Sequence, residues 1–581
     1  MDHAPPPTWE LRPAAADPSV RSALQAATGL SSRTAEILLR RGLHDPAAAR
    51  SFLEPSFSQL LDPAPLLDVE RAVELLTGAL ARGERIALHG DYDVDGMAAT
   101  ALLAGFLRQA GGQVVSYLPE RDQDGYGLSL RGVRLAAQAE ATVLVALDCG
   151  TSDHEAITLA HELGLVPLVV DHHLPAGPLP THAAAVLNPA RPGCGFAGGT
   201  LSATGVAFHL AIALRRSLRE RGWFVQLGRP EPNLRSFLDL VALGTVADMV
   251  PLVGPNRTCV AFGLTELTRR RRPGLAALCA VAGVGEQVTA TDVGFKLAPR
   301  LNASGRLGSP LTGLELLGAT DSGRAAVLAR QLEEHNVQRR RLQEQVEQEA
   351  IELLEGQPGG RAPVAVVAKA GWHPGVVGIV ASRLAERYYV PAVVIALQEG
   401  IGRGSARSVD GIDIGRAIQS CREHLLRGGG HPQAAGVTLE EHQLDGFREA
   451  LGHRVEQALA GQRPSPRLLF DAEVALEELD EALAGELGRL APFGMGNPEP
   501  VLVTRGVRLL QRRSLRGGHV QCLFGDDGVT RPAVGFGLDG RVPPEGSLVA
   551  VAGSWRKDRY RGEDTLRLFL KDVREEKECK R

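Results

Sequence analysis

Carboxylate and imidazole side chains follow three short apolar stretches of the sequence. Arg85–Leu88 leads into His89–Gly96, which holds one histidine and three aspartates. Val143–Leu147 leads into Asp148, and Val166–Val170 leads into an Asp-His-His run. Oxygen and imidazole donors of this kind bind hard and borderline divalent cations. With an aspartate that follows an apolar helix, the candidate metal ligands are His89, Asp93, Asp95, Asp148, His172 and Asp248.

Each of these motifs is weak alone, because an Asp-x-Asp pair is often only a turn and loop histidines are mostly surface or hydrogen-bonded groups. Carboxylates crowded at one place repel one another unless cations neutralise them. In combination, the motifs predict a site for two divalent ions. Two such ions about 3.5–4 Å apart suit phosphoester hydrolysis. Asp148, after a central strand, is the natural bridging ligand.

Strands and helices must alternate to bring these residues together. Apolar runs at Arg85–His89, Val114–Leu118, Val143–Leu147 and Val166–Val170 predict strands, and Asp153–Leu163 predicts a helix between two of them. Short apolar strands separated by helices indicate an α/β fold with a doubly wound parallel sheet. Such sheets bind ligands at the carboxyl ends of their strands. Four segments are therefore expected to converge on one rim.

The rest of the chain divides at changes of pattern. The charged stretch Arg324–Leu354, without Pro or Gly, predicts a long connecting helix, although a solvated helix inside one domain fits it too. A second alternating set follows, and then short runs with turn signals that are typical of a small barrel or sandwich. The expected divisions are an N-terminal lead (1–50), an α/β domain (51–320), the helix (321–357), a smaller α/β domain (358–460) and a β-barrel (465–575).

Composition excludes several classes of protein. At 581 residues, three to five domains are expected. No apolar run reaches 18 residues and the N-terminus does not resemble a signal peptide, so neither a membrane span nor secretion is expected. The seven cysteines form no C-x-x-C pair, which favours a reducing, cytoplasmic setting. The net charge of -4 restricts nucleic-acid contacts to local patches.

Four motifs resemble those of the DHH phosphoesterase superfamily: His89-Gly-Asp-Tyr-Asp-Val-Asp-Gly96, Leu147-Asp-Cys-Gly150, Asp171-His-His173 and Ala247-Asp248. The run Gly428–Gly436 is similar to the glycine-rich signature of the associated DHHA1 domain. Within the superfamily the sequence resembles the bacterial single-strand-specific exonucleases most. Supporting stretches are Leu297–Arg306, Gly371–Ile379, Gly402–Ser408 and Pro492–Pro498. The resemblance covers roughly residues 50–575 and makes 51–320 the DHH catalytic domain, 358–460 a DHHA1-like substrate domain and 465–575 an OB-fold.

The resemblance also implies roles around two cations, Mn²⁺ or Mg²⁺. His89, Asp93 and Asp148 would hold one ion. The other would be held by Asp95, Asp148, His172 and Asp248. His173 would lie beside the scissile phosphate as a hydrogen-bond donor or proton carrier, while Asp91 and Asp171 would orient ligands.

Substrate contacts follow from the same resemblance. A glycine-containing loop with Arg403, Ser405 and Arg407 is expected to bind the 5′ end of a DNA strand, and Arg121 to reach the same phosphate. Arg300 and Arg306, which flank Asn302, would grip the scissile or a neighbouring phosphate. Tyr126 either stacks on a base or packs within its loop. His373 and His431 are expected in the groove or the second domain.

The barrel is expected to bind a single strand through positive charge and stacking aromatics. The candidate stackers, of which half or more should be core, are Phe524, Phe536, Trp555, Tyr560 and Phe569. The leading hypothesis is a processive 5′→3′ exonuclease on single-stranded DNA, acting in repair and recombination as a monomer. Single-stranded-DNA-binding protein and a helicase are expected partners. The alternatives are a DHH-type phosphodiesterase of short oligonucleotides or cyclic dinucleotides, which the extra barrel disfavours, and a non-catalytic DNA-binding scaffold, which the complete ligand set disfavours.

Overall fold

The structure is a computed structural model that describes residues 4–13, 17–197, 200–356, 362–560 and 563–576. It forms two compact units. One unit contains the chain up to Leu11 together with Asn336–Phe470, and the other contains Arg12–His335 and the chain from Asp471 onward. In the described part of the chain, no helix has both the length and the apolar character that a membrane crossing requires.

The larger unit is built around a five-stranded parallel sheet. Its strands, in spatial order, are Gln113–Tyr117, Arg85–Gly90, Ala141–Leu147, Val166–Val170 and Ala185–Leu187. The registers pair Gly90 with Leu147 and Leu147 with Val170, so neighbouring strands end at the same level. Since helices cover the sheet, its central strands are apolar on both faces. The predicted parallel α/β fold is confirmed, and the three-residue strand at its edge was not anticipated.

Helices surround this sheet. Two of them, Val94–Gln109 and Leu238–Ala247, are buried on nearly every side. The others in this part of the chain are Val69–Ala81, Arg121–Asp124, Leu130–Gln138, His154–Glu162, Ala203–Glu220, Trp223–Gln226, Gly254–Arg269, Pro273–Val281, Ala290–Asp292, Ala298–Leu307 and Leu311–Gly318, with a π-helical turn at Val293–Leu297 and 3₁₀ turns at Phe57–Gln59 and Leu234–Phe237.

The C-terminal part of the larger unit forms a five-stranded β-barrel, as predicted. Its strands are Leu502–Leu515, His519–Asp526, Val529–Gly535, Leu548–Tyr560 and Glu563–Glu575. The first strand also pairs with the fourth, which closes the barrel, and Ala472–Glu473 adds a short edge. The helix Glu481–Gly488 and the 3₁₀ turn Leu476–Glu478 precede the barrel. The N-terminal helices Pro18–Thr28, Ser32–Arg40 and Pro46–Leu53 share its hydrophobic core, so this part of the N-terminal lead is folded into the larger unit.

The smaller unit contains a mixed sheet. In spatial order its strands are Arg427–Gly430, Ala434–Glu440, Ile401–Arg407, Ala392–Gln398 and Ala365–Ala370, of which only the last two are parallel. The helices Pro374–Tyr388, Ile414–Gln419 and Leu444–Leu459 and 3₁₀ turns at Arg422–His424 and Glu441–Gln443 complete it. Thr8–Leu11 pairs in parallel with Arg467–Phe470. The predicted connecting helix is present as Ser322–Glu355.

Candidate metal centre and nucleic-acid contacts

Three aspartates directly continue the strands of the parallel sheet. The amide of Asp91 donates to the carbonyl of Leu147 over 3.1 Å, and the amide of Asp148 donates to Val170 over 3.0 Å. Asp171 makes the same bond to Leu187. The ladder thus extends one residue beyond the strands and fixes three carboxylates at one rim. Asp148 also has a left-handed backbone (φ 64°), an uncommon conformation for a residue other than glycine.

The rim gathers most of the predicted ligands. His172 Nε2 lies 3.3 Å from Asp148 Oδ1, 3.5 Å from Asp248 Oδ2 and 4.0 Å from Asp95 Oδ2. Among the residues that the structure describes, three groups have ligand atoms that lie within 4.8 Å of one another inside the group: Asp91, Asp93 and Asp148; Asp148, His172 and His173; and Asp95, His172 and Asp248. Asp148 and His172 each belong to two groups, so the three groups form one continuous cluster.

Several buried polar atoms at this rim make no hydrogen bond. Both carboxylate oxygens of Asp91, one of Asp148 and Nε2 of His172 are buried without a hydrogen bond. Buried polar groups are normally satisfied, and unpaired ones call for a specific reason. Burial, reinforced by the charge of Asp93, raises the pKa of Asp91 and of Asp148 well above the usual range. Oxygen and imidazole donors with unused lone pairs at one rim fit divalent cations.

The carboxylate of Asp248 also has a raised pKa. Burial and then the charges of Asp95 and Asp93 raise the pKa of Asp248 to about 8. Burial and the charge of Asp95 likewise raise the pKa of Asp93, whose Oδ1 accepts hydrogen bonds from the amides of Asp95 and Gly96 and caps a helix. A nearby cation would favour the ionised form of each carboxylate.

Two predicted ligands are also held by protein groups. Asp95 accepts hydrogen bonds from the amides of Ala203 and Thr204, at the N-terminus of a helix, and from the Thr204 hydroxyl. His89 Nε2 lies 3.1 Å from Ser129 Oγ, and burial lowers the pKa of His89 to about 4. Across the described ranges, His89 lies outside all three ligand groups, whereas Asp91, predicted only to orient ligands, lies inside one.

His173 is held from both sides of its ring. Its Nδ1 lies 2.8 Å from Asp171 Oδ1, and its Nε2 lies 3.0 Å from the hydroxyl of Tyr126. Burial opposes a charge on His173, but the hydrogen bond and charge of Asp171 outweigh it and raise its pKa to about 9. Burial of Asp171 is similarly outweighed by His173, and the pKa of Asp171 falls to about 2. The pair therefore carries a proton at neutral pH.

Three predicted phosphate contacts lie on or near the helix Ala298–Leu307. Arg300 is buried and forms an ion pair with Glu333, and its Nη1 donates to the carbonyl of Lys296 over 2.7 Å. Arg306 lies near enough to Tyr92 to oppose the rise in pKa that burial gives that phenol. Arg121 has the same effect on Tyr92, and Asn302 is half-buried.

The residues predicted to bind the 5′ end lie on a β-strand, so the prediction that they lie in a loop is wrong. Arg403, Ser405 and Arg407 alternate along Ile401–Arg407 and face one side of the second sheet. Arg407 Nη1 donates to Ser405 Oγ over 2.8 Å. Glycine lowers the strand signal of this segment, although pairing on both edges holds it extended.

The two histidines predicted to bind substrate, His373 and His431, do not lie on the strand that carries Arg403, Ser405 and Arg407. His373 caps the helix Pro374–Tyr388, with its Nδ1 accepting from the amide of Gly375 over 3.0 Å. The backbone of His431 closes the turn after Arg427–Gly430 through a 2.8 Å bond to Ala434. Both histidines belong to the smaller unit, which is one of the two positions expected for them from the sequence.

A cavity of about 440 Å³ lies over the same sheet, lined by Arg403, Gly404, Arg427, Gly428, Gly429, Gly436, Val437 and Thr438. The registers place Arg403, Thr438 and Arg427 in one row across three strands. Within the described part of the chain, neither guanidinium has a carboxylate partner. Nothing lies within 4 Å of where a Cβ on Gly436 would stand, so the sheet is open above this residue. Sequence reasoning missed Arg427, and its only signal was a basic residue before the glycine run.

The barrel aromatics divide into core and surface. Phe524 and Trp555 are buried in the barrel core. Phe536 is 61% exposed and stacks on Phe569, with ring centroids 6.5 Å apart. The guanidinium of Arg556 lies 3.8 Å above the Phe569 ring. The side chain of Tyr560 lies outside the described part. Phe536 is thus the candidate stacker that the structure leaves exposed, and Phe569 lies half-buried against it.

The parallel sheet, its acidic rim and the glycine-rich second sheet define a DHH-type protein. The model of the DHH family, N-terminal domain, matches residues 85–245, that of the DHHA1 domain matches 344–457, and that of the RecJ OB domain matches 470–572.

Comparisons with individual proteins show to which family within this class the chain belongs. A curated single-stranded-DNA-specific exonuclease RecJ from Dickeya dadantii is 39% identical over 90% of this chain and 93% of its own. The Escherichia coli RecJ is 36% identical over 92% and 95%. A crystal structure of RecJ with Mn²⁺ from Thermus thermophilus superposes with a TM-score of 0.82 at 29% identity, covering 98% of this chain and 80% of that one. The chain belongs to the RecJ family.

Proposed function

We propose that this protein is a metal-dependent exonuclease that hydrolyses single-stranded DNA from its 5′ end to mononucleotides. The observation that carries the proposal is the set of clustered, buried carboxylate and imidazole atoms that make no hydrogen bond at the sheet rim. Relatives that cover nearly the whole chain are named single-stranded-DNA-specific exonucleases. The barrel, which matches the RecJ OB domain, supports a single strand as the substrate.

The rim would hold two cations. Asp91, Asp93 and Asp148 are suited to one ion, and Asp95, His172 and Asp248 to the other, with Asp148 shared. RecJ structures from Thermus thermophilus contain Mn²⁺ or Mg²⁺, which supports either ion here. Bound divalent ions lower the pKa of water and offset charge on a phosphate. Asp95 would bind a cation while it also accepts hydrogen bonds from the amides of Ala203 and Thr204, which fix the orientation of its carboxylate.

His173 would handle the proton. With Nδ1–H donating to Asp171, the ring is oriented and keeps its charge at neutral pH. Nε2–H then points toward the Tyr126 hydroxyl. A phosphate oxygen that replaces this hydroxyl contact would receive a charge-assisted hydrogen bond. His173 thus stabilises negative charge on the scissile phosphate, and Asp171 acts through it as a positioning residue.

The second sheet would recognise the 5′ end. Ser405 and Arg407 supply a hydroxyl and a guanidinium already held together by a hydrogen bond. The helix Pro374–Tyr388 approaches this pair, since a Cβ on Gly378 would stand 3.1 Å from Ser405 Oγ. Arg403 and Arg427 would bind further phosphates along the open glycine row. An arginine with hydroxyl donors suits a terminal phosphate, which carries more charge than an internal one.

The test uses a long strand labelled at either end, a blunt duplex of the same sequence and Mn²⁺. We expect early release of mononucleotide from the 5′ label on the single strand only. Asp148→Asn should abolish release, while Asp527→Asn, the same change at an exposed barrel turn, should not. Release from the 3′ label first would contradict the assignment of Ser405 and Arg407. Survival of long strands with cleavage of dinucleotides would favour the short-substrate alternative.

The other predictions about cellular setting stay predictions. These are binding of single-stranded-DNA-binding protein and a helicase, a monomeric state and a cytoplasmic location.

A further inference from the structure

A methionine follows the candidate ligand Asp248 in an unusual backbone conformation. The helix Leu238–Ala247 ends at Asp248, and Met249 takes up the left-handed conformation with φ 59°. Glycine is the usual residue at this point of a helix end, because a Cβ is unfavourable there. The Met249 side chain is 64% exposed, so packing does not explain its retention. A strained position that carries a large exposed apolar side chain is typical of a contact surface.

Two further apolar side chains border the same helix end. Phe295 is 80% exposed on a single π-helical turn, Val293–Leu297, a feature common at functional sites. A Cβ on Gly294 would stand 3.9 Å from Val246 Cγ1, which places this turn against the last turn before Asp248.

Met495 is 50% exposed on the turn before the barrel. Its carbonyl accepts a 2.7 Å bond from the amide of Leu252, three residues after Met249. Two segments distant in sequence therefore contact the chain just before and just after Asp248, and each carries a large exposed apolar side chain, as Met249 does.

We propose that Met249, Phe295 and Met495, the apolar rim, contact the bases of the strand whose phosphates the metal centre holds. The inference rests on the proposed function and adds a base-contacting surface to it. Sulfur and aromatic groups make favourable contacts with ring faces, and such contacts tolerate every base. The occupant is a nucleobase because Met249 directly follows Asp248, where a phosphate would sit, and a base is the apolar part of the same nucleotide.

This arrangement also gives a reason for single-strand preference. The faces of paired bases are stacked on their neighbours and are unavailable to protein side chains. A base in a single strand can leave its stack and lie on the apolar rim while its phosphate enters the centre. The apolar rim would thus distinguish single-stranded from duplex DNA without distinguishing one base from another.

The experiment compares an ordinary strand with a strand of equal length in which abasic residues replace the nucleotides near the 5′ end. Phosphate spacing and charge are the same in both. Contact with an aromatic or apolar side chain is worth about fivefold or more in kcat/KM per base. We expect the wild type to prefer the ordinary strand by at least that factor. Phe295→Ala and Met249→Gly should lower cleavage of the ordinary strand and leave the abasic strand unchanged.

Two further readouts make the outcome decisive. Met249→Gly should leave Tm unchanged or raise it, because glycine relieves the left-handed conformation, whereas a structural role would lower Tm and affect both strands equally. Val225→Ala, a truncation of another exposed apolar side chain on the short helix Trp223–Gln226, should change cleavage of neither strand. Equal losses on both strands, or no preference in the wild type, would overturn the rim but leave the exonuclease intact. A wild type that cleaves neither strand would overturn both proposals.

Discussion

Replacing Asp171 with asparagine should lower the pKa of His173 by a measurable amount. The change keeps the size and a hydrogen-bonding oxygen beside Nδ1, 2.8 Å away, and removes the negative charge. That hydrogen bond and charge are what overcome the burial of His173 and raise its pKa to about 9. The variant therefore separates the electrostatic contribution of Asp171 from its geometric one.

The size of the effect follows from the geometry. An opposite charge at this distance shifts a pKa by about 1–3 units. Because the His173 side chain is 41% exposed, water screens part of the interaction, and we expect a fall of about 1–2 units. At pH 8 the protonated fraction would drop from about nine-tenths to between about one-tenth and one-half. A folded-state pKa above the usual value means that protonation is complete at low pH and is lost as pH rises through it.

The assay is a histidine NMR titration of the metal-free protein, with the His173 signal assigned by its loss in His173→Gln. Tyr126→Phe is the matched control, since it removes the 3.0 Å contact to Nε2 without changing any charge, and should shift the pKa far less. In the active enzyme, Asp171→Asn should move the alkaline fall in rate to lower pH. A wild-type His173 that titrates near 6.5, or one indifferent to Asp171→Asn, would refute the reasoning.

Three further outcomes are expected. Arg427→Gln should reduce the slope of log affinity against log salt for single-stranded DNA by about 0.7, as for one lost phosphate contact, while Arg454→Gln on an exposed helix face should not. Without metal, Tm should fall as pH rises from about 4 to about 8, because the native state holds a proton on Asp248 that the unfolded state loses; Mn²⁺ should remove this trend in a thermal-shift series. Phe524→Ala should destabilise the barrel by about 3–5 kcal/mol in chemical unfolding, whereas Phe536→Ala should weaken strand binding at unchanged stability.

The sequence predicts the fold wherever the signal is local. The runs at Val143–Leu147 and Val166–Val170 are continuous, apolar and short, and they became buried parallel strands. The long helix Ser322–Glu355 lacks both helix breakers in its predicted span. Where signals conflict, prediction fails: Ile401–Arg407 contains two glycines, and its strand exists because neighbouring strands pair with it.

The candidate site was predictable in composition but not in detail. Residue types and positions after strands indicated which side chains converge. They could not indicate that two backbone amides of another helix hold Asp95, or that Glu333 pairs with Arg300. These partners come from elements about 100 and 33 residues away, and single-sequence patterns carry no information on such pairings.

The metal centre by itself cannot account for substrate choice. Carboxylates and cations at the rim act on the phosphodiester group, which is the same in short, long, single-stranded and duplex DNA. Discrimination must then come from groups that bind parts of the substrate away from the scissile bond and use that binding energy in the transition state. The structure offers such groups on three surfaces: the arginine row at Arg403 and Arg427, the barrel pair Phe536 and Phe569, and the apolar rim beside Asp248. On the proposals above, the first would bind phosphates and the other two would contact bases. Selection of a strand with free bases would then depend on the aromatic and apolar surfaces, while the arginines alone would bind any nucleic acid.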